Sequence, residues 1–161
     1  MTIQENLFDL IFSTAAEWLL KNGACARFVN SPILFCDYNT LPPENVKFVL
    51  KEIEATNAGI NAAGFAHLKG CEQLDRIVLK DCSYITDEAL ERLDCRKDSL
   101  KILEITKCDI SSSGLRSLKV LTNLEKLTVR DIKYLDKPEE ISLELKQHLK
   151  NCEIDIKHTK Q

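Results

Sequence analysis

The stretch Leu74-x-x-Ile77-x-Leu79-x-x-Cys82 returns as Leu100-x-x-Leu103-x-Ile105-x-x-Cys108 and again as Leu124-x-x-Leu127-x-Val129-x-x-Ile132. Upstream it reads Leu50-x-x-Ile53-x-Ala55-x-x-Ala58, and a degraded fifth copy starts at Leu149, with Cys152 and Ile154. The starts lie 24, 26, 24 and 25 residues apart. The second half of each unit repeats as well, in Ile60-Asn-Ala-Ala-Gly-Phe65, Ile85-Thr-Asp-Glu-Ala-Leu90 and Ile110-Ser-Ser-Ser-Gly-Leu115. There an apolar residue leads into cap-forming polar residues (Thr86, Asp87, Ser111 to Ser113) and a short helix. No such unit can bury its apolar face alone, so equivalent units have to stack side by side.

That interval and core are the leucine-rich repeat signature. They predict an α/β leucine-rich repeat solenoid of about four to five units, a parallel sheet with helices on the convex side and a helical N-terminal cap. Each L-x-L segment forms a short strand whose alternate side chains point inward. The chain turns into the core at the cysteine position, where a small polarizable side chain fits. Cys82 and Cys108 are therefore expected as structural core residues. Residues 1–46 are expected to form the cap and a linker, 47–156 the repeat domain and 157–161 a tail. Within the cap, Leu7, Leu10, Ile11, Thr14, Trp18 and Leu19 fall at helical spacing, and Asn22-Gly23 stops the helix. Residues 31–45 read as a linker with turns at Pro32 and Pro42-Pro43.

Composition narrows the function classes. A net charge of −3 and a sequence pI near 5.7 supply no general basic field for nucleic acid. Seven cysteines with no Cys-x-x-Cys pair, and only three histidines, argue against zinc. Their odd number, with no signal peptide at the start of the sequence, argues against a disulfide scaffold. No transit peptide is visible either: Lys21 is the first basic residue, after Glu5, Asp9 and Glu17. The pair Asp87 and Glu88 reads as helix capping, Asp37 as a loop residue and His67 as a satisfied helix histidine. With no phosphate loop, nucleophile elbow or H-E-x-x-H motif, no catalytic residue is expected and the chain does not read as an enzyme. A binding surface remains. The outward strand residues form three rows across the concave sheet: Glu52, Arg76, Ile102, Lys126; then Glu54, Val78, Glu104, Thr128; then Thr56, Lys80, Thr106, Arg130. Lys80, Lys126 and Arg130 make a local basic edge that suits an acidic protein partner.

Outside the repeats, "AAEWLLKNGACARF" (15–28) and "DYNTLPP" (37–43), followed by "IEATNAGINAAGFAHLKG" (53–70), resemble the mitochondrial ATP synthase subunit s (coupling factor B) family. The sister family of complex I membrane-arm assembly factors shares the repeats and an ending like "LKNCEI" (149–154). The resemblance implies a non-catalytic coupling factor that limits proton leak. It would be peripheral to the mitochondrial inner membrane on the matrix side and associated with the ATP synthase membrane or stalk sector, with self-association also open. It further implies a weakly held structural Mg2+ at the positions matching Gly23 and Thr56, through main-chain carbonyls. Members often carry Cys-x-Cys where this chain has Lys80-Asp81-Cys82, which removes one thiol of a dithiol. A complex I assembly factor and a cytosolic substrate-recognition module of ubiquitin-ligase type stay open as alternatives.

Overall fold

The computed structural model describes residues 14–43, 46 and 48–157. A helix, α1, covers 14–21; Leu7, Leu10 and Ile11 of the expected cap stripe lie outside the described residues. Two strands follow, β1 (Ala24–Phe28) and β2 (Leu34–Phe35), and a 3-10 turn at Tyr38–Thr40. From there strands alternate with helical segments: β3 (Leu50–Thr56), a 3-10 helix (Ala63–Gly70), β4 (Arg76–Lys80), α2 (Asp87–Glu91) and a 3-10 segment (Arg92–Arg96). The second half continues with β5 (Ile102–Thr106), α3 (Ser112–Ser117), a 3-10 turn (Leu118–Val120), β6 (Lys126–Arg130), α4 (Pro138–His148) and β7 (Glu153–Lys157). The result is an α/β architecture around one seven-stranded sheet of order β2-β1-β3-β4-β5-β6-β7.

From β3 to β7 the strands run parallel, and the repeat offsets become the pairing register: Ile53 meets Ile77, Leu103, Leu127 and Ile154 in turn. Alternation then decides which side is dry. Ile77, Leu79, Leu103, Ile105, Leu127 and Val129 are fully buried. The helical half of each unit closes over them through Phe65, Leu68, Leu90, Leu93, Leu115 and Leu118, which belong to the same buried cluster. Each such side chain contributes about 1.5–3 kcal/mol by leaving water.

Every parallel strand but β7 is followed by a residue in the left-handed region: Asn57 (φ 50), Asp81 (φ 54), Lys107 (φ 52) and Asp131 (φ 53). The turn lets the amides of the first three donate to the last carbonyl of the next strand, Asn57 to Lys80, Asp81 to Thr106 and Lys107 to Arg130, at 2.9 to 3.1 Å. Asn and Asp tolerate that conformation; lysine does so at a cost. Two residues after the strand the chain dives inward at Cys82 and Cys108, whose Sγ atoms donate to buried carbonyls of Ala55 and Leu79 at 3.6 and 3.8 Å.

The N-terminal part differs from the sequence expectation in two respects. Residues 24–28 form a strand antiparallel to β3, and the segment read as a linker adds β2 to it. Cys25 and Cys36 are joined by a disulfide between these two strands. The parity argument against a disulfide scaffold does not reach a single bridge. In the register where Ala26 meets Phe35, Cys25 and Cys36 stand directly opposite, with Cα atoms 4.2 Å apart.

Helix starts are linked between units. Ser111 caps its own helix by accepting from the Ser113 amide at 3.1 Å. Thr86 makes no such bond. Asp87 instead accepts from the Ser111 amide and hydroxyl of the next unit, at 2.7 and 2.6 Å. One unit onward, Ser112 and Asp136 exchange two bonds at 3.0 and 3.1 Å.

Candidate functional site

The face of the sheet turned away from the buried cluster carries the three rows read from the sequence, extended by β1 and β7. Row one runs Arg27, Glu52, Arg76, Ile102, Lys126, Glu153; row two runs Cys25, Glu54, Val78, Glu104, Thr128, Asp155. Thr56, Lys80, Thr106, Arg130 and Lys157 make the third.

Cross-strand neighbours on a sheet stand close enough for long side chains to meet on the diagonal, and an ion-pair network results. Arg76 reaches Glu54 at 2.7 Å, Glu104 at 3.2 Å and Glu52 at 3.5 Å. Arg27 holds Glu52 at 3.2 Å from the other side. The network roofs Val78, which is 4% exposed although it lies outside the main buried cluster. Arg76 loses solvation there, yet the hydrogen bonds to Glu54 and Glu104 raise its pKa further above the usual guanidinium value. These charges satisfy one another and leave the first two rows from β1 to β5 with little to offer a partner.

Outside that network, at Lys80 on β4 and along β6 and β7, the balance shifts. Lys80 and Lys126 are exposed and have no ion-pair partner among the described residues. Arg130 is committed within the molecule: its guanidinium pairs with the Asp155 carboxylate and donates to the Asp155 and Val129 carbonyls at 2.8 and 3.0 Å. The Arg130 hydrogen bond holds the Asp155 carboxyl below the ordinary aspartate range. Lys80 and Arg130 share a row, separated by Thr106; Lys126 lies two rows away, at the other end of β6. Arg27 and Asp155 were absent from the rows read from the sequence, and Glu52 and Arg76 stood in them without being singled out. The Arg76 contacts follow from adjacent rows, whereas Arg27 had no legible strand to sit on.

The thiols divide by burial. Cys82 and Cys108 are 0% and 4% exposed. Their sulfurs face main-chain carbonyls and each other, and the hydrogen bond to Cys82 together with burial holds the Cys108 proton well above the ordinary thiol range. Burial pushes the Cys71 and Cys152 thiols up to about 11. Cys95 is the partly exposed free thiol.

Gly23 (φ 82) precedes β1 and Thr56 ends β3; the pairing of Ala24 with Ala55 brings them to the same end of the two strands. Lys80 stands beside Thr56 on β4, and no group of three or more His, Cys, Asp or Glu able to hold a metal occurs among the described residues. The donors here are main-chain oxygens next to a cation, a set that leaves water as most of a magnesium ion's coordination. His67 stacks against Trp18 with centroids 5.6 Å apart. Asp37 caps its 3-10 turn by accepting from the Asn39 amide at 2.9 Å. No described helix is long and apolar enough to cross a membrane.

No protein-family model matches the chain. Curated relatives do match over 80 residues, 49% of this chain and 40% of each relative's length. They include ATP synthase subunit s, mitochondrial, of Rattus norvegicus at 42% identity and the proteins of the same name from Bos taurus and Homo sapiens at 40%. The family resembled by the non-repeat segments is the one these relatives carry in their name, and over 49% of its length the chain is similar to proteins named mitochondrial ATP synthase subunit s.

Proposed function

We propose that the chain is a non-catalytic, peripheral factor of the mitochondrial inner membrane, on the matrix side, that associates with the ATP synthase and limits proton leak. The half-chain match to relatives named as a subunit of that complex carries this reading. Its body is a leucine-rich repeat solenoid over 47–156, capped by the segment before it. Parallel pairing at the repeat interval supports this. The docking face is the concave one. Lys80 and Lys126 supply its uncommitted cations for an acidic partner surface, while Arg130 serves mainly to hold Asp155. A weakly bound Mg2+ at the Gly23 and Thr56 carbonyls, completed by water, belongs to the same reading. It would join the cap to the first unit and is tested by the melting temperature with and without magnesium.

Long-range attraction of this kind acts on association rate and fades with salt. Reversal of Lys80 and Lys126 to Glu should leave folding within about 0.5 kcal/mol per site and release the protein from inner-membrane particles at lower salt. Co-sedimentation unchanged from wild type across a salt series refutes the face. Failure of the wild type to sediment with ATP synthase at low salt refutes the partner.

A further inference from the structure

Strand β7 closes the sheet order, and among the described residues its outer side has no partner. One bond tells which groups face outward. The Glu153 amide donates to the Glu125 carbonyl at 2.9 Å, so in the parallel ladder Glu153, Asp155 and Lys157 turn their peptide groups toward β6. Ile154 and Ile156 therefore turn theirs away, presenting two N–H and two C=O groups along an open edge. Such an edge is a template for another strand, and charges commonly defend it.

Here the charges favour one visitor. We propose that β7 pairs with β7 of a second copy, antiparallel, about a two-fold axis through Asp155. In that register Ile154 meets Ile156 of the second copy, and these are the residues whose peptide groups face outward, so four backbone bonds form without disturbing β6. On the open face Glu153 stands against Lys157 of the second copy, twice. Both residues are exposed, and among the described residues the ion pair of Lys157 is a 3.5 Å contact with Asp155. On the other face four isoleucines come together. Ile154 and Ile156 are only partly buried in the single chain, whereas their counterparts Leu127 and Val129 on β6 are fully buried. The two Asp155 carboxylates oppose each other at the axis, a like-charge contact that costs stability. Each is already neutralised by its own Arg130, which also holds the Asp155 carbonyl at 2.8 Å. A shift of two residues toward the strand start would instead set Glu153 against Asp155. A shift of two toward the strand end sets Asp155 against Lys157 but leaves only Ile156 paired with itself within 153–157, two backbone bonds in place of four. The register about Asp155 is thus the self-complementary one with the most bonds, as an isologous interface requires.

The test is sedimentation velocity over a concentration series up to about 1 mM, the range in which a weak dimer shows. Wild type should dimerise reversibly. Glu153→Lys and Lys157→Glu should each raise the dissociation constant about tenfold, because each reversal turns two attractive pairs repulsive, and the double swap should return it to within about threefold. Ile156→Pro removes an outward N–H and no ladder bond, and should abolish the dimer. Circular dichroism verifies that each variant keeps its fold. A wild type that stays monomeric overturns the proposal, as does a dimer indifferent to the single reversals or not restored by the double swap.

Discussion

Gly64 sits in the first 3-10 helix under the indole of Trp18, the single tryptophan of the chain. A Cβ at this position would lie 2.0 Å from Cε2 and Cζ2 of the ring and 2.3 Å from Nε1. Carbon atoms rest at about 3.5 Å, so Gly64→Ala requires the ring edge to move by roughly 1.5 Å. The ring has little freedom. Phe65 meets it edge-on at 6.1 Å, His67 lies across it at 5.6 Å, and its backbone is held where Asn22 donates to the Trp18 carbonyl at 2.7 Å. Forcing an extra methyl into such a contact costs about 1–3 kcal/mol. Restricting the unfolded chain returns about 0.4–1 kcal/mol. The clash wins, for a net loss of about 1–2 kcal/mol, or about 2–8 °C in a domain of this size. Because Trp18 is alone, its emission maximum reports the slot directly and should move to the red. Gly59→Ala is the control: its Cβ would meet nothing closer than 3.8 Å, so stability should stay within about 0.5 kcal/mol and emission should not move. An unchanged emission maximum together with an unchanged urea midpoint for Gly64→Ala would refute the packing argument.

Three further outcomes are expected. Lys107→Asn should stabilise the fold by about 0.5–1 kcal/mol in chemical denaturation, because the exposed lysine holds a left-handed turn that asparagine adopts more readily. Cys71 is raised from 9.0 to about 11 by burial. Between those values the folded chain holds a proton that the unfolded chain has released. Stability is therefore complete below pH 9 and falls by about 2–3 kcal/mol as pH rises toward 11, a slope that Cys71→Ala should flatten when urea midpoints are compared at pH 8 and 10.5. Thiol labelling of the native protein should reach Cys95 well before Cys71, Cys82, Cys108 and Cys152, and Cys82→Asp should cost about 3–5 kcal/mol by burying an unpaired charge; equal labelling rates would contradict the burial pattern.

The register of β3 to β6 was legible because the side-chain period of a strand is two and a slip of one residue would turn every leucine outward. The three rows follow from that alone. Strand β1 was not legible: Ala24-Cys-Ala-Arg-Phe28 follows a helix stop and pairs antiparallel, outside the repeat that phased everything else. With β1 unseen, neither β2 nor the Cys25–Cys36 bridge had a frame. The commitment of Arg130 escaped for a related reason. Its partner Asp155 lies on the degraded fifth copy, where no row had been extended. Helix caps were legible by residue type and not by direction, since Asp87 serves the helix of the following unit rather than its own.

Contacts of any extent between elements join only neighbours: β3 with β4, β4 with β5, β5 with β6, β6 with β7, and each helix with the next. Such a body conducts poorly. A push on the Trp18 slot has to cross four ladders in series before β7 feels it, and each ladder can absorb part of it. Sites separated by more than a few neighbours add within about 0.3–0.5 kcal/mol, so an event at one end changes affinity at the other by no more than about twofold. The two ends of the sheet are insulated from each other, and a cell could tune one without retuning the other.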